Sequence, residues 1–305
     1  MGRRRKPPEG ARPLHGWLVL DKPLGLSSAA AVARVRHILK PFRIGHGGTL
    51  DPLATGVLPI ALGEATKTVS YAMDGVKTYR FTLQFGEARA SDDAEGAVTA
   101  TSPARPETRQ IIDILPKFIG LIRQRPPVFS AIKVAGRRAY ALARAGDAPE
   151  LEERTIEINE LTLVSRPDAD HVELAVTCGK GTYVRAIARD MGRELGCYGH
   201  VTALRRTRVG PFGIEDAIPL QELEGEGANP AEALLSVEAG LTELPCVVVD
   251  RNAAARLRRG QSLLLRGRDA PFGGIAYAAC GGVPVAFGPV EAGELNPSRV
   301  FNLPF

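Results

Sequence analysis

Between Gly45 and Gly56 the chain reads Gly-His-Gly-Gly-Thr-Leu-Asp-Pro-Leu-Ala-Thr-Gly, and few backbones can host four glycines and a proline in twelve residues. Glycine opens the left-handed region of backbone space and allows close approach, and Pro52 fixes the turn directly after Asp51. The stretch therefore predicts a tight loop that presents one carboxylate. A helical pattern ends before it at Ile38-Leu39, and Val57-Leu58-Pro59-Ile60-Ala61-Leu62 after it reads as a buried strand. Loops held between rigid elements commonly carry function. On these residues alone a plainer reading stays open, with Asp51 a turn residue bonding its own backbone.

The rest of the pattern predicts a mixed α+β body. Gly16 to Leu20 is a short apolar run ending in the turn Asp21-Lys22-Pro23-Leu24-Gly25, and Ser27 or Ser28 can cap a helix that runs to about Leu39 and stops at Pro41. Residues 64–73 suggest a short helix. Lys77 to Phe85 alternates with the period of a strand and puts Tyr79, Phe81, Leu83 and Phe85 on one face. Ile111, Ile112, Leu115, Phe118 and Ile119 form a helical stripe broken at Pro116 and are assigned to the core. Strands are expected at about 154–164 and 171–178. Val184, Ile187, Ala188, Met191 and Leu195 give a helix face closed by Gly196. Residues 221–232, rich in Glu and Gly, read as a loosely packed connection. From Leu244 onward short apolar runs between glycine turns predict a small β module.

Composition narrows the functional classes. A hydrophobic content of 44% over 305 residues supports a sizeable core. No apolar run nears the roughly 20 residues of a membrane helix, and no signal core follows the basic start, so a cytoplasmic protein without membrane partners is expected. Cys178, Cys197, Cys246 and Cys280 show no metal-ligand spacing and read as reduced thiols, with no metal site implied. Gly179-Lys180-Gly181-Thr182 fails as a phosphate loop, because the pattern would need glycine where Leu174 stands. The 39 basic residues outnumber the 34 acidic ones and suggest a nucleic-acid partner. They cluster at Arg3-Arg4-Arg5-Lys6, a flexible tail, at Arg205-Arg206-Thr207-Arg208, and at Arg256, Arg258, Arg259, Arg266 and Arg268. The last two clusters are the candidate RNA contacts.

The Asp51 loop, with Leu20-Asp21-Lys22-Pro23 and Ser27-Ser28 ahead of it, closely resembles the TruB-type tRNA pseudouridine synthases over roughly residues 16–305. That resemblance implies a pseudouridine synthase catalytic domain at 15–243, a PUA-like RNA-binding domain at 244–305 and a basic tail at 1–14. It makes Asp51 the catalytic residue. Lys77-Thr78-Tyr79 is similar to the family's K-x-Y motif, whose Tyr stacks on the target base. Gly181-Thr182-Tyr183-Val184-Arg185 is similar to G-x-Y-[IV]-R, which supplies Tyr183 and an Arg, Arg185, that pairs with the catalytic Asp. His46 matches the His that fills the space left by the flipped nucleotide, Leu204 a Leu packed at the active site, and Lys22 a cation near the loop. One departure is Ala90, where the family carries Asp; Asp93 and Gly96 are retained.

The implied reaction isomerises uridine 55 in the tRNA T-loop: the N1–C1′ bond breaks, the uracil rotates, and C5 joins C1′. No redox change or net hydrolysis occurs, so no cofactor is required. A single carboxylate can serve as nucleophile at C1′ or as an electrostatic and acid/base group. A cation such as Arg185 would balance its charge in a pocket dry enough to keep water from the intermediate. A stacked uridine must first be flipped out, at an unstacking cost of a few kcal/mol, and Tyr79 offers a stacking face. The expected partner is tRNA, through T-loop and T-stem, and the expected working unit is a monomer. Two other readings are a tRNA-folding chaperone without chemistry and the subunit of a guide-RNA-dependent synthase.

Overall fold

The computed structural model describes residues 10–225, 229–267 and 271–304. Its main sheet has ten strands. The principal ones are β1 (Gly16–Lys22), β2 (Ala54–Leu62), β3 (Lys77–Phe85), β4 (Gly120–Gln124), β5 (Arg154–Ser165), β6 (His171–Cys178) and β7 (Gly199–Val209). From one edge the order is Ile218–Pro219, β1, β2, β7, β3, β6, β5, β4. Along this path only β1 with Ile218–Pro219 and β2 with β7 run parallel. The mixed, mainly antiparallel α+β architecture expected from the sequence is the one the chain adopts.

The late strand β7 lies between two early ones, and this places the site. Leu204, Arg205 and Arg206 pair with Ala54, Thr55 and Gly56 at the exit of the Asp51 loop. On the other side Leu204 and Arg206 face Phe81 and Tyr79 of β3. An irregularity between Val201 and Ala203 resets the alternation, so Val201 and Leu204 both point to the core although three residues apart. A similar irregularity in β5 carries the inward face from Ile156 and Ile158 to Leu161.

Helices α1 (Ser28–Leu39) and α2 (Val184–Glu194) cover one face of the sheet. Ala31, Val35 and Leu39 of α1 and Val184, Ile187, Ala188 and Met191 of α2 share a core with Leu18, Leu20, Leu58, Ile60, Phe81, Leu83 and Phe85. The two serines ahead of α1 divide their work. Ser27 caps the helix by accepting from the Ala30 amide, while Ser28 turns into the interior. Lys40 adopts a left-handed conformation just before Pro41 and ends the helix.

Some elements depart from the sequence pattern. Ile112 and Ile119 are exposed rather than core. The segment is an α-helix, Thr108–Ile114, followed by a 3₁₀ turn, Leu115–Phe118, with Pro116 in it. Ile111, Ile114, Leu115 and Phe118 are in phase on the buried side, and Ile112 and Ile119 each lie one residue past it. The helix expected at 64–73 is divided into a 3₁₀ turn, Gly63–Lys67, and a helix, Val69–Asp74. The connection at 221–232 begins with a packed helix, Leu220–Glu224, which buries Leu220 and Leu223. The basic run Arg3-Arg4-Arg5-Lys6 and Arg268 lie outside the described residues. Within the span assigned to the tail, the Arg12 amide already bonds to the Lys40 carbonyl at 2.8 Å, and Leu14 packs on the core.

The C-terminal β unit is a six-stranded sheet around β8 (Gly274–Cys280) and β9 (Val283–Glu291), with α3 (Arg251–Arg258) packed on it through Ala254 and Leu257. It is not a detached appendage. Trp17, Val19, Val57, Ala61 and Phe212, on the second face of the main sheet, form one core with Tyr277, Phe287 and Phe301. Ring centroids lie 4.8 Å apart for Trp17 and Phe212 and 5.0 Å for Tyr71 and Phe287. At the rim, the Tyr277 hydroxyl donates to Glu238 at 2.6 Å, and the Asn302 amide donates to Glu64 at 2.7 Å. Both faces of β1 and β2 are therefore covered, which explains their unbroken apolar character. Among the described residues no helix is long and apolar enough to cross a membrane.

Candidate active site

The loop from Gly47 to Leu53 joins a short strand, Ile44–His46, to β2. Two glycines meet a specific backbone need, Gly48 within the loop and Gly56 just past it in β2. Gly48 and Gly56 have φ of 100° and 98°, and a Cβ on Gly56 would sit 2.1 Å from the Arg206 carbonyl oxygen. The close approach that the glycines permit at Gly56 is thus to the protein's own strand β7. Ser28 fixes the middle of the loop, its Oγ accepting from the Leu50 amide at 2.8 Å and donating to the Leu50 carbonyl at 2.9 Å. The Gly25 amide donates to the Pro52 carbonyl at 2.9 Å and ties the Lys22-Pro23 turn to the far side of Asp51.

Arg206 completes this frame and corrects the basic-cluster expectation. It is 2% exposed. Its guanidinium donates to the carbonyls of Val57 at 2.9 Å, Gly48 at 3.1 Å and Thr49 at 3.4 Å. Arg205 is committed as well, in a two-pronged pair with Asp21 at 2.7 and 3.0 Å. Only Arg208 of that cluster remains exposed. The signal for Arg206 was present in the sequence. A strand residue two places from a core leucine shares its face, so placing Leu204 inside places Arg206 inside.

The loop presents Asp51 to the start of α2. Arg185, the second residue of the helix, is 4% exposed and meets Asp51 Oδ2 at 2.9 Å, while the Asp51 side chain stays 39% exposed. The same guanidinium pairs with Asp93 at 3.3 Å and donates to the carbonyls of Ser91 at 2.8 Å and Phe129 at 2.9 Å. Asp93 is buried and held by the Ser91 hydroxyl and the Glu95 amide. One cation thus joins an accessible carboxylate to a buried one. The sequence retained Asp93 without revealing its partner. Ala90 is exposed on the same loop, so the departure at that position leaves the Arg185–Asp93 pair untouched.

Lys22, Tyr79 and Tyr183 surround this pair closely enough to feel the Asp51 charge. Lys22 is fully buried, and its Nζ donates to the carbonyls of Leu26 at 2.6 Å and Pro23 at 2.9 Å. Burial brings its amine down to about 8, against the opposing pull of Asp51. Tyr79 lies on β3 between Val176 and Arg206, and burial pushes its phenol upward while the Arg206 charge opposes this. Tyr183 is anchored through its backbone, donating to Gln124 Oε1 at 2.9 Å and accepting from Gln124 Nε2 at 3.2 Å. Burial raises its phenol too. His46 sits on the opposite flank of the loop, where burial lowers its imidazole and its Nδ1 is buried without a partner. Leu204 is buried in β7, between Ala54 and Phe81.

Comparison with known proteins places this arrangement. Residues 36–184 match the model described as TruB family pseudouridylate synthase, N-terminal domain, and residues 185–242 match the tRNA pseudouridylate synthase B C-terminal domain. The chain belongs to the TruB family of pseudouridylate synthases. It is accordingly an isomerase. The junction between the two TruB matches falls inside α2, between Val184 and Arg185, so both contribute strands to one sheet. Among TruB relatives, the chain is 56% identical over 301 residues to tRNA pseudouridine synthase B of Bradyrhizobium diazoefficiens, covering 96% of this chain and 87% of the relative. It is 51% identical over 304 residues to the protein of that name from Agrobacterium fabrum, with 96% of each covered. Among solved structures, a chain of an H/ACA RNP bound to a substrate RNA containing 2′-deoxyuridine aligns with a TM-score of 0.74 at 24% identity, over 95% of this chain and 86% of that one. That likeness shows a shared fold.

Proposed function

We propose that this TruB-family chain converts uridine 55 of the tRNA T-loop to pseudouridine, with Asp51 as the catalytic carboxylate acting on a flipped-out nucleotide. The observation that carries the reading is the half-exposed Asp51 paired with the buried Arg185 at 2.9 Å. A carboxylate in a rigid loop, accessible on one side and charge-matched on the other, suits attack or charge stabilisation at C1′. Its pairing with a cation that is itself fixed by Asp93 and two carbonyls limits reorganisation during the reaction. Tyr79 stacks on the uracil and Tyr183 closes the pocket. His46, its imidazole driven toward the neutral form, occupies the gap left by the flipped base. Lys22, enclosed behind the loop, acts through its charge and its hold on the Pro23–Leu26 turn rather than by touching RNA.

The choice of tRNA as substrate draws on the named relatives at 51% and 56% identity. The guide-RNA-dependent alternative is the weaker reading, because the likeness to the chain of the H/ACA RNP, at 24% identity, extends to the fold alone. A purely RNA-folding role leaves the Asp51–Arg185–Asp93 network without a use. The test is tritium release from C5-labelled uridine in a T-loop RNA. Asp51→Asn, which keeps the shape and removes the charge, is expected to bind RNA normally and to lose turnover by more than about a thousandfold. Turnover close to wild type in that variant would end the assignment.

A further inference from the structure

Arg189 follows Arg185 by one turn of α2, so their side chains lie on the same face of the helix. Its guanidinium pairs with Asp92 at 3.0 Å and Asp190 at 2.8 Å and donates to the Arg125 carbonyl at 2.8 Å. Arg185 meanwhile takes Ser91, Asp93 and the Phe129 carbonyl. Two successive arginines therefore grip the same two segments, 91–93 and 125–129. The backbone at Asp92 supports this division. Its φ is +60°, a conformation that non-glycine residues seldom adopt, although Asp is among the more tolerant. At that turn neighbouring carboxylates pass to neighbouring arginines, Asp92 to Arg189 and Asp93 to Arg185. The Arg189 side chain is 12% exposed and engaged with three partners, which leaves it poorly placed to meet an RNA phosphate.

We propose that Arg189 is a positioning residue for the isomerisation: it holds Asp92 and Arg125 so that Arg185 stays directed at Asp51. The proposal rests on the reading of Asp51 and Arg185 as the reacting pair. Its physical basis is competition for one cation. Burial disfavours the Asp92 charge, and Arg189 is the foremost cation opposing that penalty, followed by Arg185 and then Arg193. With Arg189 removed, the Asp92 carboxylate is left under-compensated beside the Arg185 guanidinium and draws it from Asp51. The Arg125–Phe129 segment loses the tether from α2 at Arg125 at the same time and keeps the one at Phe129.

The competition makes a second-site test possible, with Arg189→Met, Asp92→Asn, the double variant and Asp51→Asn compared on T-loop RNA. Arg189→Met is expected to lower the single-turnover rate at saturating RNA about tenfold, with RNA affinity within about twofold of wild type. Adding Asp92→Asn removes the competing charge, and Asn tolerates the left-handed backbone, so the double variant is expected to recover to within about threefold of wild type. A rate for Arg189→Met equal to wild type overturns the proposal, as does a loss confined to affinity or a double variant no faster than the single one. If Arg189→Met does not fold, Arg189→Lys keeps the charge without the fork and serves in its place. That variant is expected to be slow alone and faster with Asp92→Asn, and a wild-type rate overturns the proposal. Asp51→Asn separates the two levels. If it retains turnover, the reading of Asp51 fails; if it is inactive while Arg189→Met is unimpaired, only the role of Arg189 fails.

Discussion

Lys22 shows how far the setting of a residue can depart from what its neighbours in sequence suggest. Alone in sequence, a lysine before a proline turn is ordinarily a surface residue. Here it is buried, with its Nζ on two carbonyls and Asp51 near enough to raise its affinity for the proton. Its amine titrates at about 8 instead of the ordinary 10.5. Between those values the unfolded chain holds the proton and the folded one does not, so the contribution of this group to stability rises as pH climbs through that window. The rate should move the opposite way, because Asp51 loses a neighbouring cation above about pH 8. Single-turnover rates and urea midpoints of wild type and Lys22→Met, taken from about pH 7 to 10, check both signs. Parallel profiles for the two proteins would remove Lys22 from the electrostatics of the site. The residues around it divide in the same way. On the proposed reading, in which Tyr79 stacks on the flipped base and not on the RNA body, Tyr79→Leu should reduce kcat at least about tenfold with little change in KM.

At the scale of elements, the Asp51 loop is fixed less by its own sequence than by the strand that passes behind it. Gly56→Ala would drive a methyl group into the Arg206 carbonyl of β7, while Arg206→Met would release the Gly48 and Thr49 carbonyls of the loop and the Val57 carbonyl of β2. Each should destabilise the fold by about 2–4 kcal/mol, and Arg206→Met should also lower kcat by misplacing Asp51. Thermal unfolding and turnover, measured on the same samples, test this; an Arg206→Met protein with full activity and an unchanged melting point would contradict it. What the sequence disclosed here follows from which forces are local. Caps, strand alternation and the helix stop at Pro41 are written in neighbouring residues and were legible. So was the Asp51–Arg185 pairing, but only through the family resemblance, since 134 positions separate the two residues. The inward turn of Arg206 follows by strand alternation from Leu204, but the Arg185–Asp93 pair joins a helix to a distant loop and the exposure of Ile112 depends on the phase of a helix that ends in a 3₁₀ turn, and no short-range pattern specifies either. The four loop glycines do mark a constrained turn, although Gly56 makes room for a strand of the same molecule.

For the whole molecule, the sequence suggested a separate RNA-binding domain at 244–305, and the structure shows that its β unit shares a core with the main sheet. Phe287, Phe301 and Tyr277 belong to the same apolar cluster as Trp17 and Phe212. Truncation near Pro245 would bare that face and test stability rather than binding. Phe287→Ala should already destabilise the protein by about 3–5 kcal/mol, seen as one cooperative transition shifted to lower denaturant. The RNA role expected of the unit is better probed at its surface, where Arg256, Arg259 and Arg266 are exposed. Changing all three to Gln should weaken tRNA binding and reduce the log–log salt slope by roughly 0.9 for each phosphate no longer neutralised, with kcat preserved. An unchanged slope would make these arginines ordinary solvated charges.

The shared core also imposes an order on synthesis. Trp17 and Val19 leave the ribosome more than 200 residues ahead of several of the side chains that cover them, Val237, Leu241, Phe287 and Phe301. In that interval the growing chain carries an uncovered apolar surface on a sheet that for much of the time also awaits its central strand β7. Such a nascent chain is a natural client for chaperones, and slow elongation over residues 210–301 would prolong the interval in which it can associate with other chains before its own covering residues arrive.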